Sequence, residues 1–396
     1  MHIGINAQLL NMSDTYRAAG VSTYIDNLLR NLSAIDGADR YTVFTGQWAK
    51  DERLREKLGL GHNFTLRPSR VPTENPMARL LWEQTVLAAA STGMDVLHGP
   101  VNVVPLLSRT PRVVTIHDLA FMLFNDKHLP SKRRYLTLMT RLSARNSKTV
   151  ITVSEATRAD VLRLLQVAPE KVITVPIAID EEFRYLGSDP EFCAGVADFK
   201  RQRGLPERYF LYLGTLEPRK NIPTLLTCYA ALRRQGLGRE GAGADTPKLV
   251  IAGPKGWLYD QIFAQVKELD LEAHVFFPGF VPREEIVWWY NAALGFIYLS
   301  VYEGFGLPVL QALACGVPVI INDTPALSEV AGDAGLRVNA EQQETVTEAL
   351  RSIAVSAELR ESLRQKGFER ATHFSWQQTA VKTLEIYAGA ARKHSR

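Results

Sequence analysis

The sequence has 396 residues, of which 46% are hydrophobic and 22% are charged. This length suggests two domains of ordinary size, and this composition excludes an intrinsically disordered chain. The formal net charge of +4 is too small to indicate a nucleic-acid-binding protein, although it is compatible with an anionic substrate or an anionic membrane surface.

Three features concern the cellular compartment. The three cysteines, Cys193, Cys228 and Cys315, are not spaced as metal ligands or as a redox pair, which favours a reducing compartment. The first ten residues, MHIGINAQLL, lack the basic segment and long apolar core of a signal peptide and predict a first strand. No run reaches the roughly 18 apolar residues that would predict a membrane-spanning helix. The sequence therefore predicts a cytoplasmic protein.

Predicted strands alternate with predicted helices in the first half of the chain. The strands are HIGIN (2–6), YTVFTG (41–46), DVLHG (95–99), RVVTIHD (112–118), TVITVS (149–154) and KVITVPIAI (171–179). Helices are predicted over residues 21–33, 78–90, 131–145 and 155–166. Asn75-Pro76 is a plausible start for the second helix, and Ser154 could cap the last.

The second half repeats this arrangement. Its predicted strands are YFLYLG (209–214), KLVIAG (248–253), HVFFPG (274–279), LGFIYLS (294–300) and VPVIIN (317–322). Such alternation predicts parallel sheets covered by helices on both faces. The α/β pattern, present twice, predicts two Rossmann-like domains with a cleft between them.

The predicted domains are residues 1–180 and residues 181–375. The junction is placed in the polar stretch 180–206, where no strand pattern holds. Residues 233–248, RRQGLGREGAGADTPK, predict a glycine-rich surface loop. An amphipathic helix at about 376–396 is expected to pack back on the first domain.

Polar residues follow several predicted strands, at the edge where α/β sheets bind ligands. Gly20 precedes a helix, where a backbone can approach a diphosphate. His117 and Asp118 end an apolar strand, and a structural pair is about as probable there as a site. Arg219 and Lys220 follow Gly214 in GTLEPRKN and could clamp a leaving phosphate. The alternative is a solvated turn that ends in a helix cap at Asn221.

The segment EGFGLPVLQALACGVPVI, residues 303–320, predicts a glycine turn followed by a helix and a strand. Gly306 permits close backbone approach, and Pro308 suits the first turn of a helix. Glu303 then stands at the carboxyl end of a buried strand, and Gln311 stands one helical turn further on. A tight loop with a solvated Glu303 is the simpler alternative.

These motifs, in this order, resemble a retaining glycosyltransferase of the GT-B fold, in the large family 4 (glycosyltransferase group 1). EGFGLPVLQALACGVPVI is similar to that family's Glu-x7-Glu motif, and GTLEPRKN is similar to its Arg-Lys phosphate site. SEATRADV (154–161), PGFVPREEIVWWYNAA (278–293) and SEVAGDAG (328–335) also fit. TIHDL (115–119) and GVSTY (20–24) look most like the branch that contains O-antigen and polysaccharide mannosyltransferases.

The resemblance implies a role for each matching residue. The donor-binding residues would be Gly20, Gly214, Arg219, Lys220, Gly306, Leu307 and Gln311, with both cations on the diphosphate. Glu303 would hold donor sugar hydroxyls, and His117 would face the sugar near its reactive carbon. The implied catalytic set is thus His117, Arg219, Lys220 and Glu303. No metal and no cofactor are implied, and the nucleotide diphosphate sugar is a co-substrate.

Two positions depart from the family pattern. Gln311 replaces the second glutamate, which in the family binds the nucleotide ribose. A charged hydrogen bond is worth about 1 kcal/mol more than a neutral one, so the replacement should change donor affinity only about fivefold. The segment PIAID (176–180) lacks the Asn-Gly turn that the family usually has at the hinge.

The predicted activity is transfer of a hexose, which mannose would fit, from a GDP- or UDP-linked donor to a glycan, lipid-linked or small-molecule acceptor. One alternative is a sugar-nucleotide epimerase of the same fold. Another is a non-catalytic nucleotide-sugar-binding protein, which Gln311 keeps open. A nicotinamide dehydrogenase is disfavoured, because no Gly-x-Gly-x-x-Gly follows the first strand.

The stretch 124–148 is basic with interleaved apolar residues. It could rest on the inner face of an anionic membrane that carries a lipid-linked acceptor. An ordinary half-buried helix with a solvated basic face would show the same pattern.

Overall fold

The computed structural model describes residues 1–11, 20–47, 53–124, 130–187, 190–238 and 245–392. The chain divides into two compact units. The first unit comprises Met1–Ala178 and Ser375–Arg396, and the second comprises Ile179–Phe374.

The first unit contains a parallel sheet, which has seven strands within the described residues. They are β1 (His2–Ala7), β2 (Arg40–Thr45), β3 (Phe64–Pro68), β4 (Val96–Gly99), β5 (Arg112–Ile116), β6 (Thr149–Thr152) and β7 (Val172–Thr174). Their order is β3-β2-β1-β4-β5-β6-β7. Ile3 of β1 pairs with Tyr41 on one side and with Val96 on the other. The central strands β1, β4 and β5 are mostly apolar and almost entirely buried, because helices cover both faces of such a sheet.

The helices of the first unit follow the expected alternation. They are α1 (Val21–Ile35), α2 (Arg53–Lys57), α3 (Pro76–Trp82), α4 (Ala88–Ala90), α5 (Ala120–Leu123), α6 (Pro130–Asn146) and α7 (Glu155–Asp160). A π-helical turn, Glu83–Leu87, joins α3 to α4, and another, Val161–Leu165, extends α7. Asn75 caps α3 by accepting hydrogen bonds from two backbone amides, and Ser154 caps α7 by accepting one from Thr157 N at 3.0 Å. Both predicted helix starts are thus confirmed.

The second unit contains a parallel sheet with six strands within the described residues. They are β8 (Tyr209–Leu213), β9 (Lys248–Ala252), β10 (Val275–Gly279), β11 (Gly295–Tyr298), β12 (Val319–Asn322) and β13 (Gly335–Val338). Their order is β10-β9-β8-β11-β12-β13. The helices of this unit are α8 (Pro190–Gln202), α9 (Ile222–Gln235), α10 (Asp260–Glu268), α11 (Ile286–Ala292), α12 (Leu307–Ala314), α13 (Pro325–Ala331), α14 (Gln343–Val355) and α15 (Ala357–Ala371). The last helix, α16 (Trp376–Arg392), belongs to the first unit.

Several elements differ from the sequence prediction. Strands β3 and β13 were not predicted, because both are partly exposed and lack an apolar run. The polar stretch predicted as a junction contains α8, whose Phe199 packs against Trp288 and Trp289 of the same unit. Helix α9 continues to Gln235, into the predicted glycine-rich loop. Residues 239–244 of that loop lie outside the described part of the chain.

Helix α16 packs within the first unit, against α1 and the sheet. Thr379 donates a hydrogen bond to the Pro176 carbonyl at 2.7 Å. Deeper in the core, the Tyr387 hydroxyl lies 2.6 Å from His98 Nδ1, and His98 Nε2 lies 2.8 Å from Thr115 Oγ1. Burial lowers the pKa of His98 to about 3, with the charge of His117 as a smaller cause. The imidazole is therefore neutral at pH 7, and its two hydrogen bonds join the last helix to β4 and β5.

We predict that Tyr387→Phe loosens α16. The substitution leaves one nitrogen of a fully buried imidazole without its partner, which costs about 1–3 kcal/mol. Hydrogen exchange of peptides covering residues 376–392 should become faster, and the thermal midpoint should fall. Tyr259→Phe, at a half-buried residue of the second unit, serves as the matched control. Unchanged exchange in α16 would contradict the role assigned to this hydrogen bond.

Candidate functional site

The second unit gathers polar residues where its strand order changes direction. Strand β8 lies between β9 and β11, so the connections that leave β8 and β11 diverge at their carboxyl ends. A crevice at such a point is where open α/β sheets bind ligands. Arg219 and Lys220 follow β8, and Glu303 follows β11. Parallel pairing thus brings together residues that are more than 80 positions apart in sequence.

Four charged side chains form one cluster at this point, defined by Glu217, Arg219, Lys220 and Glu303. Lys220 Nζ lies 2.5 Å from Glu303 Oε1, and Arg219 Nη1 lies 3.1 Å from Glu303 Oε2. On the other edge of the Arg219 guanidinium, Nη2 lies 2.8 Å from Glu217 Oε1. The carboxylate of Glu303 therefore lies between the two cations, with one oxygen on each.

The cluster is shielded from water. Side-chain exposure is 3% for Glu217, 9% for Lys220, 12% for Glu303 and 15% for Arg219. Burial alone would raise the pKa of Glu303, but the charges of Lys220 and Arg219 outweigh it and lower that pKa to about 2. Glu303 is consequently ionised at neutral pH. The alternative of solvated turn residues is wrong, because all four groups are largely buried.

Backbone contacts hold the two connecting loops together. Arg219 lies in a 3₁₀ turn, Pro218–Lys220, and its carbonyl accepts hydrogen bonds from Val301 N at 3.0 Å and Ser300 Oγ at 3.2 Å. Its guanidinium also donates to the Tyr302 carbonyl at 2.6 Å. These contacts fix the guanidinium before any ligand binds, which reduces the entropic cost of binding.

Tyr298, which the sequence analysis missed, completes the cluster. Its hydroxyl accepts a hydrogen bond from Lys220 Nζ at 2.7 Å and donates one to Glu303 Oε1 at 3.0 Å. It comes from β11, where an aromatic residue in an apolar run predicts only core packing. Asn221, the predicted helix cap, does precede α9, but its side chain makes no hydrogen bond to the backbone of that helix. The side-chain oxygen of Asn221 instead accepts a hydrogen bond from Thr224 Oγ1 at 2.7 Å.

Glycines bring the loop after β8 close to its neighbour. A Cβ on Gly253, at φ +139°, would lie 2.0 Å from the Gly214 carbonyl oxygen. Gly214 N in turn donates to Ala252 O at 3.0 Å. Only a residue without a side chain permits this approach. The turn that leads to Arg219 is therefore fixed against the end of β9.

The glycine turn after β11 leads into α12. Gly306, at φ +117°, is the N-cap residue of α12, which begins at Leu307. A Cβ there would meet a side-chain carbon of Leu327 at 3.0 Å. Gln311 is half-buried, and its Oε1 accepts a hydrogen bond from the hydroxyl of Tyr290 at 3.3 Å. This contact fixes one end of the amide.

The two predicted site residues of the first unit lie at the carboxyl edge of its sheet. Gly20, at φ +66°, precedes α1, and a Cβ built on it meets no atom within 4 Å. His117 follows β5; its Nε2 lies 2.8 Å from the Pro100 carbonyl, and its ring meets Tyr24 edge to face at 4.7 Å. A carbonyl can only accept, so Nε2 carries the proton. Burial lowers the pKa of His117, which keeps the imidazole neutral at pH 7.

The predicted residues thus fall into two sets. Arg219, Lys220 and Glu303 are in direct contact, and Gly214, Gly306, Leu307 and Gln311 belong to the same unit. Gly20 and His117 belong to the first unit. The roles assigned to all of them stay predictions.

The described residues contain no group of three or more His, Cys, Asp or Glu side chains placed to hold a metal ion. Nor does the described part of the chain contain a helix with the length and hydropathy needed to cross a membrane. In the basic stretch 124–148, residues 125–129 lie outside the description. Helix α6 buries Thr140, Ser143 and Ala144 and exposes Arg141, Arg145 and Leu138. Contact with an anionic membrane stays a prediction.

Two family models match the chain. Residues 18–183 match the model described as Glycosyltransferase Family 4, and residues 196–370 match the model described as Glycosyl transferases group 1. The O-antigen chain mannosyltransferase B of Escherichia coli is 31% identical over 293 residues, which are 74% of either chain. The chain belongs to the group 1 glycosyltransferases of family 4. The family predicted from the motifs is therefore confirmed.

Solved structures of this family's fold are also similar. Sucrose-phosphate synthase from Thermosynechococcus elongatus has a TM-score of 0.74 at 20% identity, with 98% of both chains covered. Anabaena Alr3699/HepE, solved in complex with UDP and glucose, has a TM-score of 0.72 at 16% identity and covers 98% of this chain and 99% of its own. At such identities the likeness establishes the fold alone. That fold is GT-B, as predicted, and the glycosyltransferase has two parallel-stranded α/β units.

We predict that the ion pairs of Glu303 make the second unit sensitive to acid. The folded pKa, about 2, lies below the ordinary 4.5, so the stabilisation is fully present above pH 4.5. It is lost as the pH falls toward 2, and at about 1.4 kcal/mol per pKa unit it amounts to about 3 kcal/mol at most. Urea unfolding, followed by tryptophan fluorescence from pH 6 to pH 2, measures this loss.

In Glu303→Gln the loss of stability between pH 4.5 and pH 2 should be smaller than in the wild type, because the amide does not titrate. Glu358→Gln, at an exposed residue of α15, should retain the wild-type pH dependence. Parallel pH profiles for the wild type and Glu303→Gln would show that Glu303 does not carry this acid sensitivity.

Proposed function

We propose that this glycosyltransferase moves a hexose, mannose in the first instance, from a nucleoside diphosphate sugar to a hydroxyl of a glycan, lipid-linked or small-molecule acceptor. It does so with retention of the anomeric configuration and without a metal ion. One observation carries the proposal: two largely buried cations, Arg219 and Lys220, converge on a single carboxylate at the ligand-binding edge of a parallel sheet.

The position of that carboxylate suggests how a diphosphate would bind. Glu303 presents one oxygen to the guanidinium and the other to the ammonium group, as two oxygens of a phosphate would. A diphosphate carries more negative charge than a carboxylate and would compete for both donors. Glu217 holds the far edge of Arg219, so the guanidinium stays oriented during the exchange. Glu303 would then be released to accept hydrogen bonds from hydroxyls of the donor sugar.

Neighbouring groups would bind the rest of the donor. Gly214 and Gly306 place residues without side chains at the ends of the two loops, and the amides of Gly306 and Leu307 would face the phosphates or the sugar. Gln311 would bind the ribose, since its amide can both donate to and accept from a diol. Gly20 would lie against the diphosphate, and His117 would face the sugar near its reactive carbon.

The reaction then balances without a protein nucleophile. The bond between the anomeric carbon and the phosphate oxygen breaks, and its electron pair stays on the leaving diphosphate. A bond forms from the acceptor oxygen to the same face of the anomeric carbon, and the acceptor proton passes to the leaving phosphate oxygen. Arg219 and Lys220 stabilise the charge that builds on that oxygen, so the protein contributes positioning and electrostatic stabilisation.

The choice of mannose as the sugar and of an O-antigen-type acceptor is based on the relatives of this chain. The Escherichia coli protein that is 31% identical is named an O-antigen chain mannosyltransferase, and the TIHDL and GVSTY segments resemble that branch. UDP in the Anabaena structure supports a nucleotide-linked donor. GDP-mannose is therefore the first donor to test, followed by the UDP-hexoses.

The activity is tested with the purified protein and a panel of nucleotide sugars, with and without glycoside acceptors. Acceptor-dependent release of nucleoside diphosphate supports the transferase. Acceptor-free release indicates an epimerase or a hydrolase, and binding without release indicates a non-catalytic protein; either result would overturn the proposal. NMR of the product assigns the anomeric configuration, and an EDTA-treated sample tests the independence from metal.

We predict that Arg219→Ala and Lys220→Ala each slow transfer about a hundred- to a thousandfold at saturating donor. Each removes a preset donor from the developing charge, a loss of about 2.7–4 kcal/mol. Binding of the nucleoside diphosphate should weaken more than binding of the monophosphate. Initial rates and calorimetric titrations measure both effects.

Each substitution also removes one cation from a buried carboxylate, which destabilises the fold. Rates are therefore compared below the unfolding range of each variant. Arg283→Ala, which breaks an exposed pairing with Asp180 and Glu182, controls for general loss of charge. Near wild-type turnover in both Arg219→Ala and Lys220→Ala would show that these two side chains do not stabilise the leaving phosphate.

We predict that Gln311→Glu retains activity and changes affinity for the nucleoside diphosphate only about fivefold. Either side chain can bond a ribose diol, and the difference between a charged and a neutral hydrogen bond is about 1 kcal/mol. Calorimetric titration of both proteins measures the change. A change of two orders of magnitude would show that Gln311 has another role.

A further inference from the structure

The first unit has a polar cluster of its own at the point where its strand order changes direction. Strand β1 lies between β2 and β4, and Asn6 is the second-last residue of β1. Asn6 Nδ2 donates a hydrogen bond to Glu83 Oε1 at 3.0 Å. This pair therefore lies at the position in the first sheet that the Arg219–Lys220–Glu303 cluster occupies in the second.

The local helix geometry positions Glu83. It is the first residue of the π-helical turn between α3 and α4, and such turns are frequent at functional sites. Trp82, directly before it, is buried and meets Phe44 edge to face at 6.2 Å. Gln84, directly after it, bonds Val104 O at 3.2 Å and Leu106 N at 2.9 Å. Both neighbours are anchored, so the carboxylate is held at the carboxyl end of β1, beside Asn6.

A structural role alone does not account for a carboxylate here. Burial raises the pKa of Glu83, and Asn6 and Arg79 only partly oppose it. Among the described residues, Asn6 is the one hydrogen-bond donor to this carboxylate. A glutamine would accept the same bond without the cost of burying a charge. The second carboxylate oxygen thus has acceptor capacity that no described residue uses.

A second group nearby also has unused hydrogen-bonding capacity. The Tyr135 hydroxyl, from α6, is buried and has no hydrogen-bond partner among the residues that the structure describes. Burial raises the pKa of Tyr135, and the charge of Glu83 raises it further as a smaller cause. A phenol that donates and a carboxylate that accepts are a suitable pair for a sugar, whose hydroxyls do both.

We propose that Glu83, oriented by Asn6 and accompanied by Tyr135, binds a hydroxyl of the acceptor sugar. The inference rests on the proposed function, because it assigns the second substrate of the same reaction. The strand order gives the approximate distance between His117 and Glu83 within this unit. His117 follows β5, β4 separates β5 from β1, and two strand spacings are about 10 Å. With His117 at the reactive carbon of the donor sugar, Glu83 would lie one sugar ring away, where an acceptor binds.

The test uses the full-length protein and octyl glycosides of mannose, glucose, galactose and N-acetylglucosamine as probes. Their binding is measured by saturation-transfer NMR in the presence of nucleoside diphosphate. Glu83→Gln is the decisive variant, since glutamine retains the bond from Asn6 and preserves any purely structural role. Glu155→Gln, at an exposed carboxylate of the same unit, is the matched control.

We expect Glu83→Gln to weaken binding of the preferred glycoside about fivefold, because a charged hydrogen bond is worth about 1 kcal/mol more than a neutral one. Its affinity for nucleoside diphosphate should stay within twofold of the wild type, and Glu155→Gln should change neither. Wild-type glycoside binding in Glu83→Gln, or no glycoside binding by the wild type, would overturn this site. If glycoside binding fell but no nucleotide sugar were turned over, the sugar site would stand and the transferase proposal would fail.

Discussion

Parallel pairing is the constraint on which the rest of this structure depends. All strands in each sheet point the same way, so every strand ends at one edge and every returning helix covers a face. The loops at the carboxyl edge are then the places where polar groups can gather without disturbing the core. Where the strand order reverses, two loops diverge and leave room for a ligand. The charged cluster after β8 and β11 and the Asn6–Glu83 pair after β1 both occupy such places.

The second unit shows how such an edge can hold buried charge. Two carboxylates balance two cations, and each side chain contacts at least one opposite charge. Unpaired charges at this depth would be costly, so the pairing offsets the cost of burying them. A neutral cluster of this kind also keeps both cations oriented for an incoming anion. Charge balance and readiness for a phosphate are thus properties of the same four side chains.

The first unit handles its polar groups differently. The His98 imidazole is kept neutral by burial and is fully hydrogen-bonded, so its role is to fasten α16. Glu83 has one hydrogen-bond donor, Asn6, among the described residues and a raised pKa. A satisfied buried group is structural; a partly satisfied one at a ligand edge is a candidate for binding. By this criterion Glu83, and not His98, is the candidate for ligand binding.

The sequence by itself determined the α/β class, the family and most of the strands. Buried parallel strands are apolar runs, and glycine turns with adjacent charges keep their spacing in the chain, so both can be recognised locally. The half-exposed strands β3 and β13 and the polar helix α8 could not be recognised, because tertiary packing rather than local pattern stabilises them.

Contacts between distant residues were decided by the tertiary structure alone. Arg219 and Lys220 were predicted as phosphate ligands, but their pairing with Glu303 depends on two loops that meet only when β8 lies beside β11. Tyr298, His98 and Glu83 carried no local signal, since a tyrosine, a histidine or a glutamate within an apolar element is usually packed or solvated. Their chemistry arises from burial and from partners up to 289 positions away, which the order of residues along the chain does not specify.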